Sequence, residues 1–232
     1  MTPATYELDG PIATITLDDG KVNALSIEML QAIHGALDQA ERDEAVVVLT
    51  GREKYLSAGF DLKVFTSEPE RLVEMLTLGA TLCERMLAFP RPVVVACTGH
   101  AIAAGTFLLL AADMRIGVDG PFRMGLNEVK IGLTVPWFAI ELARHRLHPA
   151  HFDRAVASAT MYTPREAVAP GILDQVVTAD ELRGSSMQAA RQLADLNAAA
   201  HAATKLRVRG RALEALRSAI ESELTTEDPN SV

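Results

Sequence analysis

The chain has 232 residues, 49% of them hydrophobic, which is enough apolar surface for a substantial core in one large domain or two small ones. Asp and Glu number 30 against 22 Lys and Arg, and the resulting net charge of -8 argues against a binder of nucleic acid or of anionic membranes. The segment MTPATYELDG has neither a basic n-region nor an apolar h-region, and no apolar run is long enough to span a bilayer, so a cytoplasmic location is expected. Cys83 and Cys97 lie in apolar sequence without metal-type spacing and read as small core residues.

In chain order, TYELDGPIATITLDDG predicts two short strands broken at Asp9-Gly10-Pro11, a hairpin. Ser26 is placed to cap a helix in which Ile27, Leu30, Ile33, His34 and Leu37 recur at helical spacing. AVVVLTG then reads as a fully buried strand. The alternation repeats: RLVEMLTLGATLCERMLAF is an amphipathic helix, RPVVVACTG a strand, AAGTFLLLAAD an apolar helix and MRIGV a strand. Strands separated by helices imply a parallel sheet with right-handed crossovers. Beyond Gly132, helices are predicted at 136–146, 149–159 and over TPREAVAPG, the last with Thr163 as N-cap, Pro164 at the first helical position and Glu166 completing a capping box. ILDQVV is a short strand, and two helices near 179–196 and 198–224 follow. The layout is an α/β core over residues 1–178 and a C-terminal helical region over 179–232.

Two chain exits from buried strands carry candidate chemistry, because strand exits and helix N-termini present unpaired backbone N–H groups. The first is Ser57-Ala58-Gly59-Phe60-Asp61, turned by Gly59; the second is Ala103-Ala104-Gly105, entering an apolar helix. Two such donors aimed at one oxygen would form an oxyanion hole; two ordinary strand-to-helix turns are the plain alternative. His145, His148 and His151 are regularly spaced, but Pro149 interrupts their helix and they read as surface or interface groups. His100 reads as a packed, hydrogen-bonded histidine. No GxSxG elbow is present, and Ser57 has no histidine nearby in sequence.

YLSAGFDL, RPVVVACTGHAIAAGTFLLLAADMRI and FRMGLNEVKIGLTVP, matched in order and spacing within about residues 5–180, resemble the crotonase (enoyl-CoA hydratase/isomerase) superfamily. The resemblance implies a spiral of ββα repeats, assembly as a homotrimer or a dimer of trimers, and an acyl-CoA thioester substrate. No metal or redox cofactor is implied, since coenzyme A belongs to the substrate. By carry-over, the thioester oxygen would rest on the N–H groups of Phe60 and Ala104. The CoA portion would run past Lys21 to Leu25 and Ser57 to Leu62, giving Ala24, Ser57, Ala58, Asp61 and Leu62 as substrate-binding candidates. The C-terminal helices lie near the CoA entrance in the family, which makes Lys205, in the basic stretch KLRVRGR, a candidate phosphate contact; a solvated face is the other reading of that stretch.

Hydratases of the family carry two glutamates. Here the first position is Phe107 and only the second, Glu128, is acidic. Hydration commonly shares a water between two carboxylates, whereas moving a double bond from the 3,4 to the 2,3 position needs one group that takes an α proton and returns one at the γ carbon. GLNE together with Phe107 is similar to the monofunctional Δ3,Δ2-enoyl-CoA isomerase branch. An apolar pocket built from Phe107, Leu126 and either Trp137 or Phe138 is expected to raise the pKa of Glu128. A glycine triplet usual before the helix is Ala103-Ala104-Gly105 here, so the methyls are expected either to narrow the acyl pocket or to reposition a donor, with backbone donation itself kept, and Glu141 is a further acid with no assigned facing. A hydratase using Glu128 alone and a catalytically weak CoA-thioester binding protein remain the alternative functions.

Overall fold

A computed structural model describes residues 2–67 and 69–224. The elements, in order, are β1 (Ala4–Asp9), β2 (Ile12–Leu17), β3 (Ala24–Leu25), α1 (Ile27–Arg42), β4 (Val46–Thr50), β5 (Lys54–Ser57), β6 (Gly59–Phe60), α2 (Leu62–Ser67), α3 (Pro69–Ala88), β7 (Val93–Cys97), β8 (Gly99–Ile102), α4 (Ala104–Ala111), β9 (Met114–Val118), β10 (Met124–Gly125), a 3-10 turn (Val129–Ile131), α5 (Trp137–Arg146), α6 (Pro149–Val156), β11 (Gln175–Val177), α7 (Ala179–Ala194) and α8 (Ala198–Glu223).

β1 and β2 form the expected antiparallel hairpin, and β2 then starts a parallel run, giving a six-stranded sheet in the order β1-β2-β4-β7-β9-β11. Its strands read as unbroken apolar runs because both faces are covered. Val47, Leu49, Val93, Val95 and Cys97 enter one core with Leu30, Ile33 and Leu37 of α1, while Val46, Val48, Val94, Ala96 and Ile116 enter a second with Leu182, Ala189 and Ala190 of α7. Period-two alternation thus sends neighbouring valines to opposite sides. The helix α7 is one of the layers of the core, and α8 packs along α5 and α3.

Short strands form the second part of the fold: β10-β8-β5 make a parallel sheet and β3 pairs with β6. Each follows a strand of the large sheet and precedes a helix, so β2-β3-α1, β4-β5-β6-α2-α3, β7-β8-α4 and β9-β10-turn-α5 are successive ββα units of the expected crotonase spiral.

The helix expected over TPREAVAPG is not formed. Its capping box is present, with Glu166 Oε2 accepting from Thr163 N at 2.9 Å, and one turn closes through Ala167 N to Thr163 O at 2.9 Å. Pro170 then has no N–H to donate, its carbonyl accepts from His148 N at 3.0 Å, and Gly171 turns away at φ +86. At the other end of the fold, Glu223 in the last turn of α8 accepts the Trp137 N–H at 2.7 Å, capping α5 from a distant part of the chain. Among the described residues no helix is long and apolar enough to cross a membrane.

Candidate active site

Three consecutive ββα units deliver the candidate residues. Phe60 ends β6, Ala104 opens α4 and Glu128 leads into the 3-10 turn after β10. The first two units touch at Gly59: a Cβ there would lie 2.9 Å from the Ile102 carbonyl oxygen and 3.3 Å from Ala104 N, and Gly59 has φ +96. The third is tied on by Ala103 N, which donates to Gly125 O at 2.9 Å, and by Thr106 Oγ1, 2.6 Å from Ala101 O and 3.0 Å from Gly125 N. Ala103 is held at φ +50 with no side-chain cap beneath it, and the Ala104 N–H is the first of its helix, a position left without an intrahelical acceptor.

A cavity of about 170 Å³ opens between these units. Phe60, Phe107 and Glu128 line it, together with Phe65, Leu72 and Leu76 from α2 and α3 and Gly132, Leu133, Thr134 and Pro136. Among the described residues lining it, Glu128 is the one with an ionisable side chain. That carboxylate is 6% exposed, its Oε2 has no hydrogen-bond partner, and desolvation pushes its pKa up to about 7. Leu126 and Phe138 are buried behind the wall, whereas Trp137 is 58% exposed and lines a separate groove between α5 and α8. The methyls of Ala103 and Ala104 are not part of the cavity lining, so the departure from glycine acts on the backbone at Ala103 rather than on the pocket.

The raised pKa has a consequence for stability. The folded chain keeps the Glu128 proton up to about 7 while the unfolded chain releases it near 4.5, so stability contributed below 4.5 is lost as the pH rises through about 7. Glu128→Gln is therefore expected to be more stable than the parent by about 3 kcal/mol at pH 8 and by nearly nothing at pH 4, read from urea unfolding at both.

Other expected residues have different places. Ser57 is fully buried; its hydroxyl donates to Asn23 O at 2.6 Å and accepts from Gly59 N at 3.0 Å, so it shapes β6 rather than facing the cavity. Asn23, which the sequence did not single out, donates from Nδ2 to Leu17 O at 2.9 Å and Leu56 O at 3.1 Å and so locks the 19–25 loop to β5. Ala24 lies on β3, Ala58 between β5 and β6, Asp61 between β6 and α2, and Leu62 at the start of α2, all outside the cavity lining. Lys205 corrects its expected role: its side chain is 3% exposed, and Nζ donates to Asp113 Oδ2 at 2.6 Å and to Arg91 O at 3.4 Å. It lines a second hollow beside α8 that shares no residue with the Glu128 cavity. Glu141 pairs with Arg144 at 3.5 Å beside the α5–α8 groove. His100 is packed as expected, its Nδ1 accepting from Arg123 N at 3.0 Å between Tyr55 and Phe122. Among the described residues no three His, Cys, Asp or Glu side chains are grouped for a metal ion, and His148 caps α6 through Ala150 N.

Comparison with known proteins extends over almost the whole chain. A family model described as enoyl-CoA hydratase/isomerase matches residues 7–228. An enoyl-CoA hydratase/isomerase family protein from Pseudomonas syringae is 50% identical, with a TM-score of 0.94 and 96% of each chain covered. A structure described as an enoyl-CoA isomerase from Mycobacterium tuberculosis is 41% identical, with a TM-score of 0.93 and coverage of 98% of this chain and 99% of that one. A Bacillus subtilis protein named as a probable enoyl-CoA hydratase is 33% identical over 146 residues, 60% of this chain and 55% of that protein. Sequence match, shared architecture and the order of the three ββα units agree: the chain belongs to the enoyl-CoA hydratase/isomerase family, within the crotonase superfamily.

Proposed function

We propose that the protein isomerises 3-enoyl-CoA to 2-enoyl-CoA with Glu128 as a single proton shuttle. The observation that supports this reading is the lining of the cavity, in which one ionisable group among the described residues faces aromatic and aliphatic walls, Phe107 standing at the position where the family resemblance puts a hydratase's other glutamate. The Glu128 carboxylate takes a proton from C2 of the substrate, and the electron pair moves into the thioester as a dienolate. The N–H groups of Phe60 and Ala104 hold its oxygen, and backbone donors fixed before the reaction stabilise such an anion without reorganising. The Glu128 carboxylic acid then returns the proton to C4, leaving the double bond between C2 and C3. A pKa near 7 suits both halves, since the group must accept and release a proton within one turnover.

A second reading is hydration. Thr134 also lines the cavity and offers a hydroxyl that could orient a water beside Glu128, and the relatives are mostly named as hydratases. Incubation with a 3-enoyl-CoA and, separately, a 2-enoyl-CoA distinguishes the two by conjugated-thioester absorbance and product mass. Isomerisation predicts gain of absorbance from the 3-enoyl substrate at constant mass. Loss of conjugation from the 2-enoyl substrate with the mass of one water would replace it with hydration, and no change in either would leave binding without chemistry.

A further inference from the structure

The cavity wall facing Phe138 is a chain of rings, each held by the next. Phe107, 2% exposed, stands edge-on to Phe60 with centroids 6.3 Å apart and to the fully buried Phe138 at 5.7 Å. Phe60 is pressed onto α3, where a Cβ at Gly79 would come within 2.5 Å of its ring. Behind these rings lies close-packed core, which yields no room without displacing further side chains. Leucines of α3 close another part of the wall. The space between these walls, open on one side, is about 170 Å³, and an apolar cavity of about 150 Å³ accommodates a six-carbon ring.

Resting on the isomerase reading, we infer that the enzyme takes short acyl chains, up to about six carbons, and that Phe107 sets this limit by closing the cavity against Phe138. A longer chain directed at α4 must drive Phe107 into Phe138 or leave its end in water. A methylene that a pocket cannot accept changes kcat/KM by roughly 10- to 200-fold, so the cutoff should be sharp.

The test is calorimetric titration of the protein with saturated butyryl-, hexanoyl-, octanoyl- and dodecanoyl-CoA, which bind without reacting, beside kcat/KM for 3-hexenoyl- and 3-dodecenoyl-CoA. Expected are tightest binding at butyryl or hexanoyl and at least about tenfold weaker binding at dodecanoyl. Phe107→Leu should shift the dodecanoyl-to-hexanoyl ratio by about tenfold toward the longer chain. Phe107→Met, whose flexible side chain can yield to a longer acyl chain where the rigid ring cannot, serves with the same expected shift if the leucine variant does not fold. Affinity that rises steadily to dodecanoyl overturns the length limit alone. A limit unchanged in a folded Phe107 variant overturns the role of that ring. Failure of all four thioesters to bind overturns the functional reading and the length limit with it.

Discussion

Glu128→Gln is expected to lower kcat for a 3-enoyl-CoA by about 10²- to 10⁴-fold, the range over which a positioned general base contributes, while changing acyl-CoA affinity by less than about threefold. The amide keeps the shape of the carboxyl group but cannot take a proton from C2. In the parent, kcat/KM should climb as Glu128 ionises and level off above about pH 7, because the base is active only when charged and burial has raised its pKa to that value. The variant should show no such limb. Stopped-flow absorbance across pH 5 to 9, with calorimetry for affinity, checks both parts. An unchanged rate in the variant would remove Glu128 from the mechanism, and a limb near pH 4.5 would mean that bulk water reaches the carboxylate.

Asp113→Asn is expected to destabilise the fold by about 3–5 kcal/mol without altering the Glu128 cavity. Asp113 stands between two buried cations, 2.6 Å from Lys205 Nζ and 2.8 Å from Arg209 Nη2, and accepts the Val93 N–H at 2.7 Å. Burial pushes Lys205 down to about 8 even with that carboxylate beside it, because the site is poorly solvated. Removing the anion leaves both cations buried together. Urea unfolding at pH 7 reads the loss, and a difference below about 1 kcal/mol would mean that water reaches the cluster and screens it.

These two sites differ in how far the sequence reveals them. The helices α1 and α3 are legible because their apolar spacing runs over many residues, and VVVLT and VVVAC because short, valine-rich apolar runs bounded by glycine and proline read as buried strands. The strands β3, β6 and β10 have two residues each, too few for any period, yet they are the elements that bring Phe60 and Glu128 together. Gly59 and Glu128 were visible through residue type and motif. The aliphatic wall from Leu72 and Leu76 was not, since an amphipathic helix does not declare which part of its apolar face meets a cavity and which meets core. Lys205 was misread for a related reason. Its partner Asp113 lies 92 positions away, and only the packing of α8 beside the start of β9 joins them. The turn at 163–171 carried a valid capping signal that Pro170 overruled.

The clasp between Glu223 and the Trp137 N–H bears on synthesis. Phe60, Ala104, Phe107 and Glu128 all leave the ribosome well before α8 does, and domains begin to gather as the chain emerges. The start of α5, which follows the Pro136 wall of the cavity, acquires its cap only when the final turn of α8 arrives. A nascent chain therefore carries Glu128 for a long stretch of synthesis before α5 has its cap, and the Pro136 side of the cavity gains that support only once the last turn of α8 has followed.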